Sequence, residues 1–496
     1  MSDKLELQRP LQASAIQVTE LPKLDLDSYI ANYDGQSRLD RLVCIATSSQ
    51  LPVSKEALRL ALAEAKKGKD VDRYLEISQY AVDNDKDAST DVEWATKTRE
   101  LVNRETQKLE HELKGYKNNL IKESIRMGNE DLGHHYYSIG DNNNAYKAYM
   151  RMREFCTTPK HLVDMSLRLV LVGAAQENWM AVQTSLYKIQ ALQLKPEDKA
   201  KIDPVINPIA GLANMASGNY PTAADRFLNA DPAYIALDTT QKPSAGVGSG
   251  LGISFQRQLI TPNDVAVYGA LCALATLNRE ELQRRILDNA DFRTFLELEP
   301  HLRRVVAYFI GGKYTQALEI LEGYRADYLF DVFLQKHVDP LYATIRRKAI
   351  CAYVAPFSRL SLSSMATAFP VFSPSESRIP PTTKTIPATD TLTDGSIQTE
   401  LVSLISSGQL SGFRIDAVHG ELVALAKDDR RLTHEKALKV ASETERALRL
   451  KLYRVNMMAA GFEVKAGKAS MGEGQGSGIA TRSNRGRGGA DTGTMI

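Results

Sequence analysis

The chain has 496 residues, with 62 Lys and Arg against 60 Asp and Glu and a net charge of +2. This balance supplies no long-range field for nucleic acid or an anionic membrane. With 43% hydrophobic and 25% charged residues, the composition is that of an ordinary soluble protein, long enough for two to four domains.

The lead, residues 1–24, is mixed in composition and carries Pro10 and Pro22, so an extended or flexible N-terminus is expected. It contains acids and no apolar core segment, which argues against a signal peptide. No apolar run approaches the ~20 residues of a membrane span. Cys44, Cys156, Cys272 and Cys351 lie far apart without a C-x-x-C pair, which fits a reducing compartment and no disulfide framework. Helices are expected from Asp25 to Tyr33, from Arg38 to Ala46, and in two pieces from Lys55 to Val82 with Gly68 at the turn. A polar loop, Asp83–Asp91, follows. Asp91 to Gly128 then reads as one long charged helix, weakened at Gly115.

A repeat emerges next. Leu132, Gly133, Tyr136, Gly140, Ala145, Tyr149 and Met152 fall at the offsets of a tetratricopeptide (TPR) hairpin, where small residues let paired helices touch and aromatics fill the gap. Related copies surround Glu177, Gly218, Asn278 and Gly312. These turn residues are spaced by 37, 41, 60 and 34, and the long gap holds the Gly/Ser-rich stretch 242–252. Stacked hairpins of this kind bury a core that no single hairpin can bury.

After Pro340 the periodicity changes. Helical spacing covers Leu341–Val354, Leu360–Phe369 and Ile397–Ser406, and a period-two strand, Phe413–Val418, turns at His419-Gly420 into Leu422–Leu425. Three helices and a hairpin make a winged helix. Between Pro370 and Thr393 five prolines among Ser and Thr predict a disordered insert, bounded at 370–395. A last helix is expected over 430–462. Along it Leu438, Ala441, Leu448, Leu452, Val455, Ala459 and Phe462 step by threes and fours, a coiled-coil-like seam in which Glu445 is the one polar member. A Gly-, Ser- and charge-rich tail, 463–496, is expected to be disordered.

The fold class expected is thus an all-α TPR-like solenoid, then a winged helix with a minor β hairpin, then a long C-terminal helix. Its organisation is a flexible N-terminus at 1–24, N-terminal helices at 25–94, helical repeats at 95–340, a winged helix at 341–425, the helix at 430–462 and the tail.

No catalytic constellation is found, and no cofactor or metal is expected. His134 and His135 are adjacent and point to different sides of a helix. The loop from Asp83 to Asp91 resembles a calcium loop but has Ala88 where glycine makes the turn and Trp94 where a glutamate chelates. Gly246–Gly252 lacks the Gly-Lys-Ser/Thr ending of a phosphate loop. Arg346-Arg347-Lys348 beside a winged helix raises nucleic-acid binding, but the recognition helix 398–408 holds no Lys or Arg for phosphates. Arg482, Arg485 and Arg487 of the tail offer at most a weak RNA contact. The hairpin strand carries two open readings: an edge left to water, or an edge that pairs with a neighbouring chain.

Leu404-Ile-Ser-Ser-Gly-Gln-Leu-Ser-Gly-Phe-Arg-Ile-Asp416, with a wing at His419-Gly420 behind helical repeats, resembles the PCI-domain family of the proteasome lid, the COP-nine signalosome and translation initiation factor three. Leu26–Leu42 is similar to the N-terminal region of the signalosome subunit-one family, which separates it from its lid paralogue; Lys313–Leu318 and Ala326–Leu329 suit the same family. The resemblance implies a non-catalytic scaffold whose winged helices join edge to edge and whose C-terminal helices bundle. It further implies a complex that deneddylates the cullins of cullin-RING ligases through a zinc metalloprotease subunit, with subunits two and three as neighbours, in cytoplasm and nucleus, without direct nucleic-acid or membrane contact. The contact residues would be Phe413, Arg414, Ile415, Asp416 and Val418 of the edge and Leu438, Ala441, Leu448, Leu452 and Val455 of the seam. The alternatives are a scaffold of the proteasome lid and a winged-helix nucleic-acid binder.

Overall fold

The computed structural model describes residues 16–20, 22–84, 90–240, 255–370, 391–425 and 429–462. It divides into one unit up to Leu425 and a second from Ala426. The Gly-rich stretch 246–252, most of the insert 370–395 and the tail 463–496 lie outside the described residues.

The first unit is built from antiparallel helix pairs. Lys122–Ile139 pairs with Asn142–Met152, Pro159–Ala175 with Trp179–Ala191, Pro196–Ala216 with Tyr220–Leu228, and Pro300–Ile310 with Tyr314–Gly323. Each pair turns on a left-handed residue: Gly140 (φ +88°), Glu177 (+54°), Gly218 (+77°) and Gly312 (+75°). Three of the four are glycine because only glycine takes this conformation without steric cost. The helices touch where the repeat pattern puts small residues. A Cβ at Gly133 would enter the Tyr149 ring, and one at Gly211 would come within 2.6 Å of Phe227.

The copy at Asn278 departs from this plan. Asn278 has φ −70° and forms a capping box with Glu281, so it starts a helix instead of ending one. That helix stops at Leu282, passes through a π turn at Gln283–Leu287 and resumes at Ala290–Leu296. The aromatic that fills against its partner helix is therefore Phe292, 2.9 Å from a Cβ placed at Gly269.

The long charged helix breaks elsewhere than expected. It runs Val92–Asn119 straight through Gly115, and Leu120 (φ +55°) turns the chain into Lys122–Ile139. A mid-helix glycine costs only about 1 kcal/mol; just before it Leu113 packs with Ile125 and Leu132, and just beyond it the Tyr116 ring lies against Gly128 of the next helix. Packing overrides the local preference.

The N-terminal helices do not simply precede the repeats. Gly35–Ser48 packs against Phe255–Gln258, and Arg41 reaches Asp264 and Asp331. Nor is the end of the lead loose. Val18 is buried and bridges to Ser49, while the backbone N–H groups of Lys23 and Leu24 donate to Asp327 (2.9 and 3.2 Å). Buried apolar contact and satisfied backbone donors hold residues 16–20 and 22–24.

The winged helix comprises helices Val338–Val354, Leu362–Ala368 and Thr391–Ser406 and strands β1 (Arg359–Ser361), β2 (Phe413–Asp416) and β3 (Glu421–Ala424). The sheet order is β1-β3-β2, both pairings antiparallel. Sequence reading assigned residues 360 and 361 to the second helix. They instead close the sheet, and the Ser361 hydroxyl caps the helix by accepting from Ser364 N (3.2 Å). The third helix starts at Thr391, upstream of Ile397, so it takes in residues assigned to the insert. No proline lies between Thr391 and Ser406 to stop it.

In the second unit the helix Asp429–Ala459 is fully exposed along its described side chains.

Candidate interaction surfaces

The wing edge is defined by its hydrogen-bond alternation. Leu425 N donates to Gly412 O (2.7 Å), while Ala424 N faces the other way to Ser358 O (2.8 Å). Antiparallel ladders alternate bonded and non-bonded pairs. By register Arg414 and Asp416 therefore bond β3 opposite Val423 and Glu421, and the backbone groups of Phe413 and Ile415 point outward. Phe413 N is occupied by Leu410 O (3.2 Å). The Phe413 and Ile415 side chains pack against the core, and Arg414 is exposed on the opposite face.

Val418 was expected in the strand. The strand ends at Asp416, whose carboxylate accepts from Val418 N (3.0 Å) and from His419 Nδ1 (2.9 Å). An Asp that bonds the backbone two residues on closes a turn, so Val418 stands at the wing tip, 88% exposed. The hydrogen bond from the His419 side chain, with those from the two backbone N–H groups, holds the Asp416 carboxyl below its usual range.

The cations beside the winged helix are occupied internally. Arg346 Nε donates to both Glu400 oxygens (3.0 and 3.1 Å), and its Nη atoms donate to Phe369 O and Pro370 O. Lys348 donates to Leu274 O (2.7 Å) and Leu277 O at the end of the helix Pro262–Thr276, where burial pushes its ammonium down to about 8. A lysine at a helix C-terminus satisfies orphan carbonyls and meets the negative end of the dipole. Arg347 remains exposed.

The seam residues of the C-terminal helix face solvent. Leu438, Leu448, Leu452 and Val455 are each 60–70% exposed, and Ala441 is exposed with them. Leu450, Tyr453 and Met457 form a second exposed row on another side of the same helix. A helix apolar on more than one side suits burial among several neighbours better than a two-stranded coil.

The remaining candidates have local roles. Asp91 caps the helix Val92–Asn119 by accepting from Trp94 N (3.0 Å) and pairs with Lys66 (3.0 Å); the middle of its loop, 85–89, lies outside the described residues. His135 Nε2 meets Thr106 Oγ1 at 2.8 Å, while His134 faces the Tyr149 ring and is pushed down to about 4 by burial. Among the described residues no group of His, Cys, Asp and Glu could hold a metal ion, and no helix is long and apolar enough to cross a membrane.

Sequence reasoning missed a buried charge centre. Arg41, 1% exposed, donates to Asp331 Oδ2 (2.7 Å), Asp264 Oδ2 (3.3 Å) and the Tyr29 hydroxyl (2.9 Å), and its guanidinium lies 3.8 Å from the Tyr33 ring centre. Tyr33 donates to Asp264 (2.8 Å), and Tyr268, Phe333 N and Leu334 N donate to Asp331 (2.8, 2.9 and 2.9 Å). Burial pushes both carboxyls up. At Asp331 the close guanidinium and the N–H donors win and its value ends low; at the more distant Asp264 burial wins. Nearly every polar atom here finds a partner, as a buried ion pair requires; among the described residues the exception is Arg41 Nε. The only sequence signal was an Arg on the apolar face of an amphipathic helix, between Asp40 and Leu42.

Comparison with known proteins follows the same division. Residues 91–285 match the family described as 26S proteasome subunit RPN7, and residues 321–424 match the PCI domain. The chain is similar to COP9 signalosome complex subunit 1 of Emericella nidulans, 44% identical over 91% of this chain and 86% of that protein. The same subunit of Neurospora crassa is 37% identical over 88% and 90%. The 26S proteasome regulatory subunit RPN7 of Saccharomyces cerevisiae is 21% identical over 66% and 76%.

Proposed function

Because the chain belongs to the family of COP9 signalosome complex subunit 1, we propose that it is a scaffold subunit that assembles with other signalosome subunits. The observation that carries this reading is the 44% identity over 91% of the chain, against 21% over 66% for the proteasome lid protein. The lid is the distant relative. The winged helix supplies an open strand with an outward donor at Ile415, and the C-terminal helix supplies apolar rows without cover. Both support assembly by edge pairing and helix bundling. The nucleic-acid alternative keeps only Arg347 of the three cations that raised it, because Arg346 and Lys348 are bonded within the fold.

The finer reading is that the subunit lies between subunits two and three, works in cytoplasm and nucleus, and supports removal of a ubiquitin-like modifier from the cullins of cullin-RING ligases, with the isopeptidase in another subunit. Edge contacts come from Phe413, Arg414, Ile415, Asp416 and the wing tip Val418; bundle contacts come from Leu438, Ala441, Leu448, Leu452 and Val455.

Affinity purification of the full chain followed by mass spectrometry tests the scaffold. Signalosome subunits are expected, and recovery of lid subunits in their place would overturn it. Ile415→Pro tests the edge. Its N–H faces away from β3, so proline there removes a donor to a neighbour without removing a ladder bond. Assembly should weaken about tenfold, roughly one hydrogen bond; because the Ile415 side chain packs against the core, Tm falls too, and Ile415→Ala, which loses the same packing but keeps the N–H, is the control and should assemble better than the proline variant. Undiminished assembly rules out edge pairing.

A further inference from the structure

The hairpin between Val92–Asn119 and Lys122–Ile139 ends in a tip unlike the other turns. Its left-handed residue is Leu120 (φ +55°), 80% exposed, followed by Ile121, 54% exposed. A branched apolar residue in this conformation costs of order 1 kcal/mol or more. Neither side chain recovers that cost by burial. Glycine at three of the other four hairpin turns, with Glu177 at the fourth, shows that the fold has an unstrained solution available.

The charge around the tip is one-sided. Lys114, Lys117 and Lys122 are exposed, and the stretch Lys114–Lys122 contains no Asp or Glu. Among the described residues none of the three makes an ion pair, although neighbouring Lys108 and Arg126 do. Tyr116 adds an exposed ring.

We propose that this tip is a docking knob: Leu120 and Ile121 insert into an apolar pocket of a partner protein whose rim is acidic and meets the three lysines. A centre of aliphatic side chains inside a charged rim is the anatomy of a protein interface. The bases and phosphates of a nucleic acid would use the lysines and Tyr116 but leave two aliphatic side chains in water. The knob is separate from the wing edge and does not depend on the scaffold reading.

The test is made in cells with the full chain carrying a photo-crosslinker at position 121. The expected product is a crosslink to a protein segment in which Asp or Glu surrounds apolar residues. Its yield should fall at least fivefold in the Lys117→Glu/Lys122→Glu chain. Leu120→Gly should abolish the crosslink while leaving Tm equal or higher, since glycine relieves the turn. A crosslink insensitive to charge reversal, no protein crosslink, or capture only by phosphatidylserine vesicles or homopolymer RNA overturns the proposal. A lower Tm for Leu120→Gly would also overturn it, because Leu120 would then serve the fold. Co-purification of signalosome subunits in the same cells reads the scaffold separately, so either idea can fail alone.

Discussion

Arg41 and the C-terminal helix invert the usual placement of side chains. Around Arg41 two carboxylates and a guanidinium sit in the core, while on the helix Asp429–Ala459 leucines and valines stand in water. The buried charges are mostly partnered within the chain, although among the described residues Arg41 Nε has no hydrogen-bond partner. Tyrosine hydroxyls and backbone N–H groups fill the carboxylate oxygens, so the centre binds residues of one chain to each other, beside a cavity that Tyr29, Tyr33, Asp264 and Asp331 help to line. The exposed leucines are incomplete. Among the described residues nothing in their own unit covers them, and apolar surface of this extent marks an interaction site. The first region reads as fixed framework, the second as surface awaiting partners.

The contrast breaks most visibly at Arg41. Arg41→Ala leaves Asp264 and Asp331 buried without their cation, and loss of one partner of a buried pair costs about 3–5 kcal/mol. Denaturant unfolding of the first unit should shift by that amount; a change under about 1 kcal/mol would mean the network is not the anchor described. The second region should respond through assembly alone. Leu448→Ser with Leu452→Ser removes two buried contacts worth about 1.5 kcal/mol each on association, so binding to the partner subunits should weaken about 100-fold. Near-UV circular dichroism should stay unchanged. Unfolding of the separate chain by this variant would place those leucines inside the fold.

Asp70 sharpens the first half of the comparison, because it is a half-buried carboxylate with weaker compensation. It accepts from Arg73 N (2.9 Å) and lies against Gly140. Burial pushes its carboxyl from 3.8 up to about 6. A folded-state value above the unfolded one means that protonation favours the fold. The favourable contribution is full below about pH 4 and is lost as pH rises through 6. Asp70→Asn keeps the acceptor and removes the charge. It should stabilise by about 3 kcal/mol at most at pH 7.5 and by only about 0.5 kcal/mol at pH 4. Equal effects at both pH values would assign the gain to packing.

The same two regions explain what could be read from sequence. The apolar rows of the C-terminal helix and the hairpin turns at 140, 177, 218 and 312 follow local spacing, and local spacing is what a sequence displays. Asn278 misled because a polar residue before a helix serves as a cap as readily as a turn. β1 was illegible because Arg359-Leu-Ser361 is too short to show alternation, and its partner lies about sixty residues on. The break at Leu120 was hidden by a more conspicuous Gly115. The Arg41 centre left only an arginine on an apolar helix face, because its carboxylates are 223 and 290 residues away, and nothing in either neighbourhood distinguishes a carboxylate that will be buried from one on a solvated face. On the wing the edge was readable, but the backbone alternation that frees Ile415 and commits Arg414 was not.

The separation between Arg41 and Asp331 also sets an order on the making of the protein. A chain emerges at about 5–20 residues per second, and 290 residues divide the two groups. For roughly 15–60 s of synthesis the guanidinium has no carboxylate to meet. Gly35–Ser48 can pair with Pro52–Ala65 at once, but its Arg41 side must wait until nearly two-thirds of the chain has left the ribosome. Hairpins such as Lys122–Met152 close within about thirty residues and can form meanwhile. The middle of the molecule can thus complete its packing before the beginning does, and the side of the early helices that carries Arg41 is the surface most dependent on protection during translation.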